Sequence, residues 1–469
     1  MGSPTLSKKN SYATMPSLMT TLKTPPTKKE TMADFRPFRA WRYNSSKVDF
    51  QKMIAPPYDV ISEAEQAQLY ARSPHNCIRL ILNKIEATDT EQNSRYTRAR
   101  KCYSDWQNEE VLIREEKPSF YYYRQTFADP DTGVQKERSS ILGRLHLEPF
   151  EKGVVVPHEK TLSKPRADRR KLLEATQTNF SPIFGLYEDE QKEVFNLLNP
   201  LTAQKPLYEA TDDQKVLHRV WLINDEKLID KVHAFFSSKK VYIADGHHRY
   251  QTSLEYAREK RAQEGGVALE QPFDFTLMAL VEFHDAGLVL MPTHRMILPF
   301  SGFDPVQAIE KLKPFFSVEN LSAAALIERI KKAPARKVSE LPLSFGLMFN
   351  DKEGYWLTLK DAVGAIKKMP AGKADLWYKL DVSLVSHLIL GGLWGVSETD
   401  WENTIRYTHS LSEATNAING KEYCAVFLLQ APPVEILREM GNVKELMPQK
   451  STYFYPKLAS GLVFHSHTK

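Results

Sequence analysis

The chain has 469 residues, 42% hydrophobic and 26% charged, enough for two or three soluble domains with sizeable cores. A formal net charge of +5 is too small at this length to imply nucleic acid or an acidic membrane, and no apolar run reaches a membrane span. Cys77, Cys102 and Cys424 lie far apart without a C-x-x-C, which argues against a disulfide framework or zinc knuckle and for a reducing, cytoplasmic setting.

Residues 1–31 are rich in Ser, Thr, Pro and Lys and poor in acids, so a disordered tail is expected there. They contain no apolar core for a secretory signal and no Arg for a transit peptide. Order is expected from Phe35-Arg36-Pro37-Phe38-Arg39-Ala40-Trp41-Arg42-Tyr43, which reads as a first strand with outward arginines. The same aromatic and basic mixture would also suit a nucleic-acid contact. Ala55-Pro56-Pro57-Tyr58-Asp59-Val60-Ile61 is a rigid loop that delivers Tyr58 and Asp59 to a fixed place. Ser62, ahead of Glu63 and Glu65, predicts a helix N-cap.

A helix is expected over 91–117, ended by Pro118. Strands Phe120–Thr126 and Ser139–His146 are expected to form an antiparallel pair around the turn Asp129-Pro130-Asp131-Thr132-Gly133. Val154-Val155-Val156-Pro157 reads as a short strand that then presents His158, Glu159 and Lys160. A metalloprotease motif is excluded because position 162 is Leu162, not His. The cations from Lys164 to Arg170, with Arg166 among them, read equally as a solvated helix face or an anion clamp.

Next come a strand near Val216–Leu222 and an amphipathic helix over Asp225–Phe236. Val241-Tyr242-Ile243-Ala244 is an apolar strand followed at once by Asp245-Gly246-His247-His248-Arg249. Tyr250, Leu254 and Ala257 then continue at helical spacing up to Gly265-Gly266. This strand–turn–helix gathers a carboxylate, two imidazoles and a guanidinium at a helix N-terminus, which suits an anion. A hydrated polar turn is the bland alternative, but convergent ionisable groups favour a site. Adjacent histidines seldom chelate one ion, so no structural metal is expected.

Phe273–Phe283 is expected to pair with a return strand at Leu288–Leu290, ending in His294-Arg295. Two lysine-rich helices over 305–335, a hairpin over 343–360, a helix at Asp381–Leu390, a strand at Cys424–Leu429 and a helix at Val434–Met440 follow. Lys450 stands with Ser451 and Thr452 in a polar loop after Pro448. His158, His294, Arg295 and Lys450 each follow an apolar strand or a proline, which is where sites form at sheet edges.

From Phe35 to Val463 the sequence resembles a widespread bacterial domain-of-unknown-function family, the one numbered 1015. The likeness lies in Phe35–Ala40, Ala55–Ile61, Pro157–Thr161, Ile243–Tyr250, Pro292–Arg295 and Pro448–Thr452. Asp245-Gly246-His247-His248-Arg249 is also similar to the Asp-Gly-His-x-Arg signature of free serine kinases in the partition-protein B and sulfiredoxin superfamily. That resemblance implies an α+β fold: a superfamily-like mixed core with insertions over 32–300, and a C-terminal α+β region over 301–469 packed on it. It also implies phosphoryl transfer on a small hydroxy acid or amino acid, as a serine/phosphoserine-type kinase or phosphatase.

Within that reading, Asp245, His158, Glu159 and His248 are candidate catalytic groups. Gly246, His247, Arg249, Lys160, Arg166, His294, Arg295 and Lys450 are candidate substrate or phosphate contacts. Asp59 would be a candidate ligand of a Mg²⁺ that accompanies ATP or ADP. The partner would be a small phosphorylated or hydroxylated metabolite. His248 departs from the kinase signature, which carries a small hydroxylated residue there. A nucleotide-sensing or nucleic-acid-binding module is the alternative, although the strands expected over 273–298 leave no room for the helix-turn-helix of DNA-binding relatives.

Overall fold

The computed structural model describes Gly2 and residues 32–159, 163–265, 269–333, 337–338, 343–420 and 422–468. The expected tail at 1–31 therefore falls almost wholly outside the described residues, as does Lys160. Residues 32–469 form one compact unit, and the fold is mixed α+β.

Nine strands build the first sheet. Its order begins Val155–Val156, Val241–Asp245, Ile183–Tyr187, Phe275–Glu282, and continues through Gln135–His146, Phe120–Ala128, Leu217–Ile223 and Tyr208–Thr211. Phe35–Arg36 adds to the strand Gln135–His146. Most neighbours are antiparallel, but Val241–Asp245 runs parallel to Val155–Val156, with Val241 opposite Val155. Both strands thus deliver their C-terminal ends to the same edge.

The strand Val241–Asp245 is buried on both faces, which explains its unbroken apolar run. Val241 and Ile243 pack with Tyr250 and Leu254 of helix His247–Gln263 in one core. Tyr242 and Ala244 face the other core, shared with Met440, Met447 and Phe454 from the C-terminal third. That second core joins the first sheet to a six-stranded antiparallel sheet running Phe316–Ser322, Glu353–Leu359, Ser344–Met348, Ala425–Leu428, His294–Ile297, Ile405–Thr408. The chain end then returns to the first half: Tyr453–Tyr455 pairs with Val289–Met291, and His465–Ser466 with Thr178–Asn179.

The antiparallel pair over 120–146, the capping box of Ser62 with Glu65 and the hairpin of the second sheet match the sequence expectations. Four elements differ. The expected first strand is two, because Pro37 carries no N–H for a ladder: Phe35–Arg36 joins the first sheet, whereas Trp41–Tyr43 pairs with Leu112–Arg114. The helix ends at Asn108 rather than near Pro118, since Glu110 is left-handed (φ 55°) and the buried Val111 and Leu112 enter that pairing. Val289–Met291 pairs with Tyr453–Tyr455 and not with Phe275–Glu282. Leu384–Leu393 is a π-helix that continues the short helix Asp381–Ser383.

Candidate active site

The site begins at the two parallel strand ends. Gly246 adopts φ 96°, so the chain can turn from strand to helix directly after Asp245. His247 is the first residue of the 17-residue helix His247–Gln263, which leaves its first N–H groups without intrahelical partners. On the neighbouring strand, Pro157 ends the pairing and His158 lies beside His247, ring centroids 4.5 Å apart.

The two imidazoles are a buried structural bridge. His158 Nδ1 faces the Ile243 carbonyl at 2.7 Å, and a carbonyl can only accept, so Nδ1 carries the proton. Nε2 then accepts from the Thr452 hydroxyl at 2.9 Å. The backbone N–H of His158 donates to His247 Nε2 at 3.3 Å. Burial pushes the His158 pKa down to about 4 and that of His247 well below the usual imidazole range. At neutral pH, His158 is uncharged with both ring nitrogens bonded. That differs from its expected catalytic role, because its one ring proton is committed to the Ile243 carbonyl and Nε2, which accepts from Thr452, has none to give a leaving group.

Asp245 lies between two cations. Lys457 Nζ donates to Oδ1 at 2.8 Å and Arg249 Nη2 to Oδ2 at 3.0 Å. Burial alone would raise its pKa, but Lys457 and Arg249 hold it well below the usual carboxylate range. Arg249 also donates to the Pro182 carbonyl at 2.5 Å. Lys457 lies 4.4 Å from the centre of the Tyr453 ring, and that ring stacks on His409 at 3.6 Å.

Glu159 has the opposite character. Desolvation raises its pKa, opposed by the Lys450 backbone N–H, which donates to Oε1 at 2.5 Å, and by the Lys450 charge. The contact is fixed by a parallel bridge between Glu159 and Met447, and by the Met447 N–H donating to the His158 carbonyl at 2.8 Å. Lys450 is itself left-handed (φ 55°). The half-buried His248 has a lowered pKa, chiefly from burial and opposed by nearby Asp59. Asp59 also raises the pKa of Lys457, after Asp245. Asp59, Glu159, Asp245, His248, Arg249 and Lys450 therefore belong to one electrostatic neighbourhood.

Three expected contacts take other roles. Arg295 is buried, and its guanidinium donates to the Thr293 carbonyl and to the Lys450 carbonyl at 3.2 Å. It holds the Lys450 loop instead of presenting a phosphate clamp. His294 is buried in the second sheet, where Nδ1 accepts the Leu429 N–H at 3.1 Å. Arg166 pairs with Glu255 at 3.4 Å, and its neighbours Arg169 and Arg170 are likewise bound to Asp168 and to Glu174 and Glu259. Carboxylates thus answer the charge of the expected anion clamp.

Lys457 has no role in the sequence reading, and Thr452 enters it only as a companion of Lys450. Lys457 had a readable signal: it is the only charged residue between Tyr453 and Phe464. A lone cation in an apolar stretch needs a buried partner.

A family model described as "Protein of unknown function (DUF1015)" matches residues 35–383. The chain belongs to this family. The match stops before Lys450, yet the fold carries Lys450, Thr452 and Lys457 onto the strand ends that lie within it. No curated protein matches the chain. Among solved structures it is similar to a conserved hypothetical protein from Pyrococcus furiosus, at 14% identity, with 65% of this chain and 88% of that one covered and a TM-score of 0.31. It is also similar to a free serine kinase in complex with AMP, at 13% identity, with 64% and 83% covered and a TM-score of 0.30. SbnI with a C-terminal truncation, from Staphylococcus aureus, is similar at 11% identity, with 67% and 84% covered and a TM-score of 0.30.

Proposed function

We propose that this protein transfers a phosphoryl group to or from the hydroxyl of a small hydroxy acid or amino acid, with ATP or ADP as the nucleotide partner. The observation that carries this is the electrostatic neighbourhood that Glu159 shares with Asp245 of the cation-flanked turn and with Lys457, which flanks it. Phosphoryl transfer needs positioning and charge neutralisation more than covalent chemistry from the protein. Arg249, Lys457, Lys450 and the N-terminus of helix His247–Gln263 supply positive charge at one point. Glu159, with its raised pKa, is the general base for the hydroxyl, because a base works best when its pKa nears the working pH. Asp245 stays ionised and orients Lys457 and Arg249. His158 and His247 position the two strand ends.

Among the described residues no group of three or more His, Cys, Asp or Glu is arranged to hold a metal. A Mg²⁺ that arrives with nucleotide phosphates requires only one or two protein carboxylates. The exposed Asp59, beside His248 and Lys457, meets that requirement.

The test is phosphorus NMR of the protein with ATP or ADP and serine, glycerate or their phosphates, with wild type beside Arg249→Ala and Glu159→Gln. New phosphate-ester or nucleotide signals that vanish in both variants are expected. Silence from every pair of substrates, or variants equal to wild type, removes this reading.

A further inference from the structure

A cavity borders this site through Arg249. Its enclosed space is about 50 Å³, and about 480 Å³ once the open solvent at its mouth is counted; it is lined by Tyr58, Arg169, Arg249, Thr252, Ser253 and Thr276 among others. Its lining holds two guanidinium groups and no carboxylate side chain. Arg169 lies over the Tyr58 ring, 3.7 Å from its centre, and gives three of its five N–H donors to Asp168 and the Ile81 carbonyl, which leaves two for a ligand. Arg249 uses two of its five N–H donors on Asp245 and Pro182.

The lining contains a polar group without a protein partner. Thr252 is 2% exposed, and its hydroxyl makes no hydrogen bond. A helical threonine ordinarily satisfies itself on the carbonyl four residues back, and Thr252 does not. An unpartnered buried hydroxyl is costly unless something else bonds it. Beside it, Ser253 and Thr276 make only a long contact of 3.4 Å with each other. Hydroxyls and guanidinium groups in one lining match a small molecule that carries both a polar group and an anionic group.

We infer that this cavity is the acceptor subsite, which takes a small carboxylic acid bearing a hydroxyl. The carboxylate faces Arg169 and Arg249, and a polar group of the ligand bonds Thr252. The inference rests on the phosphoryl-transfer reading for the ligand's role as acceptor, and on the cavity itself for its binding. A water molecule on Thr252 is the competing occupant.

Calorimetric titration of the full chain with L-serine, D-glycerate, inorganic phosphate and ADP separates these occupants. Wild type is expected to bind one of the two hydroxy acids. Thr252→Val, which keeps the shape and removes the hydroxyl, should weaken that binding about tenfold and leave ADP and phosphate affinities unchanged. Ser253→Ala serves as a second probe if Thr252→Val fails to fold. No binding of either acid, or equal affinity in the folded variant, overturns the subsite. Hydroxy-acid binding sensitive to Thr252→Val without phosphoryl transfer overturns the proposed reaction and leaves the subsite standing. Transfer that is insensitive to Thr252→Val does the reverse.

Discussion

Lys457 and Asp245 meet at 2.8 Å across 212 positions of sequence. The contact fastens the C-terminal return of the chain to the strand end from which the turn of charged groups begins. Both side chains are mostly buried, at 12% and 20% exposure. Removing one partner therefore leaves the other charge short of compensation.

Lys457→Met should destabilise the chain by roughly 2–3 kcal/mol, below the ~3–5 of a fully buried pair because Arg249 still holds Asp245. It should also abolish phosphoryl transfer. Denaturant unfolding checks the first, and the NMR assay the second. A variant with unchanged midpoint and turnover would show that the contact is incidental.

Glu159→Gln keeps an oxygen that accepts the Lys450 N–H, so stability should change by less than about 1 kcal/mol. Turnover should fall roughly 10²–10⁴-fold, the usual contribution of a general base. If nucleotide binding persists while turnover is lost, Glu159 acts in the chemical step. If turnover survives, another group accepts the proton.

Gly246→Ala places a side chain at φ 96°, with its Cβ 2.9 Å from Arg249 Nη2. Strain of about 1–3 kcal/mol is expected, together with weaker phosphate binding as Arg249 is displaced from Asp245. Unfolding curves and titration with inorganic phosphate measure the two effects. Wild-type values in both would mean that the turn tolerates a side chain.

Stability should decline in mild acid. Burial holds His158 and His409 near pKa 4 and His294 near 3. The unfolded chain takes up these protons near pH 6.5, where the folded chain does not. The stability from these neutral imidazoles is thus full above about pH 6.5 and falls progressively towards pH 4. Thermal melts across that range should show a falling midpoint. A flat profile down to about pH 5 would contradict three buried neutral rings.

The strand–turn–helix at Val241–Gln263 was legible in the sequence because its determinants are local. An apolar run, one glycine and a 3.6-residue pattern suffice, and they also placed Asp245, His247 and Arg249 together. The antiparallel pair over 120–146 followed in the same way from periodicity and turn residues, whereas the mixed α+β class came with the family resemblance. The partners of the turn could not be read so. His158 meets Thr452, Glu159 meets Lys450, and Asp245 meets Lys457, each pair brought together by strand order and by the return of the C-terminal third. Residue type marked Arg295 and His294 as anion contacts, but tertiary packing bound them to backbone groups, because a buried donor or acceptor takes the nearest partner. The sequence by itself thus determined which groups stand at the turn. Only the tertiary structure decided their charge states and companions, since burial and long-range pairing set both.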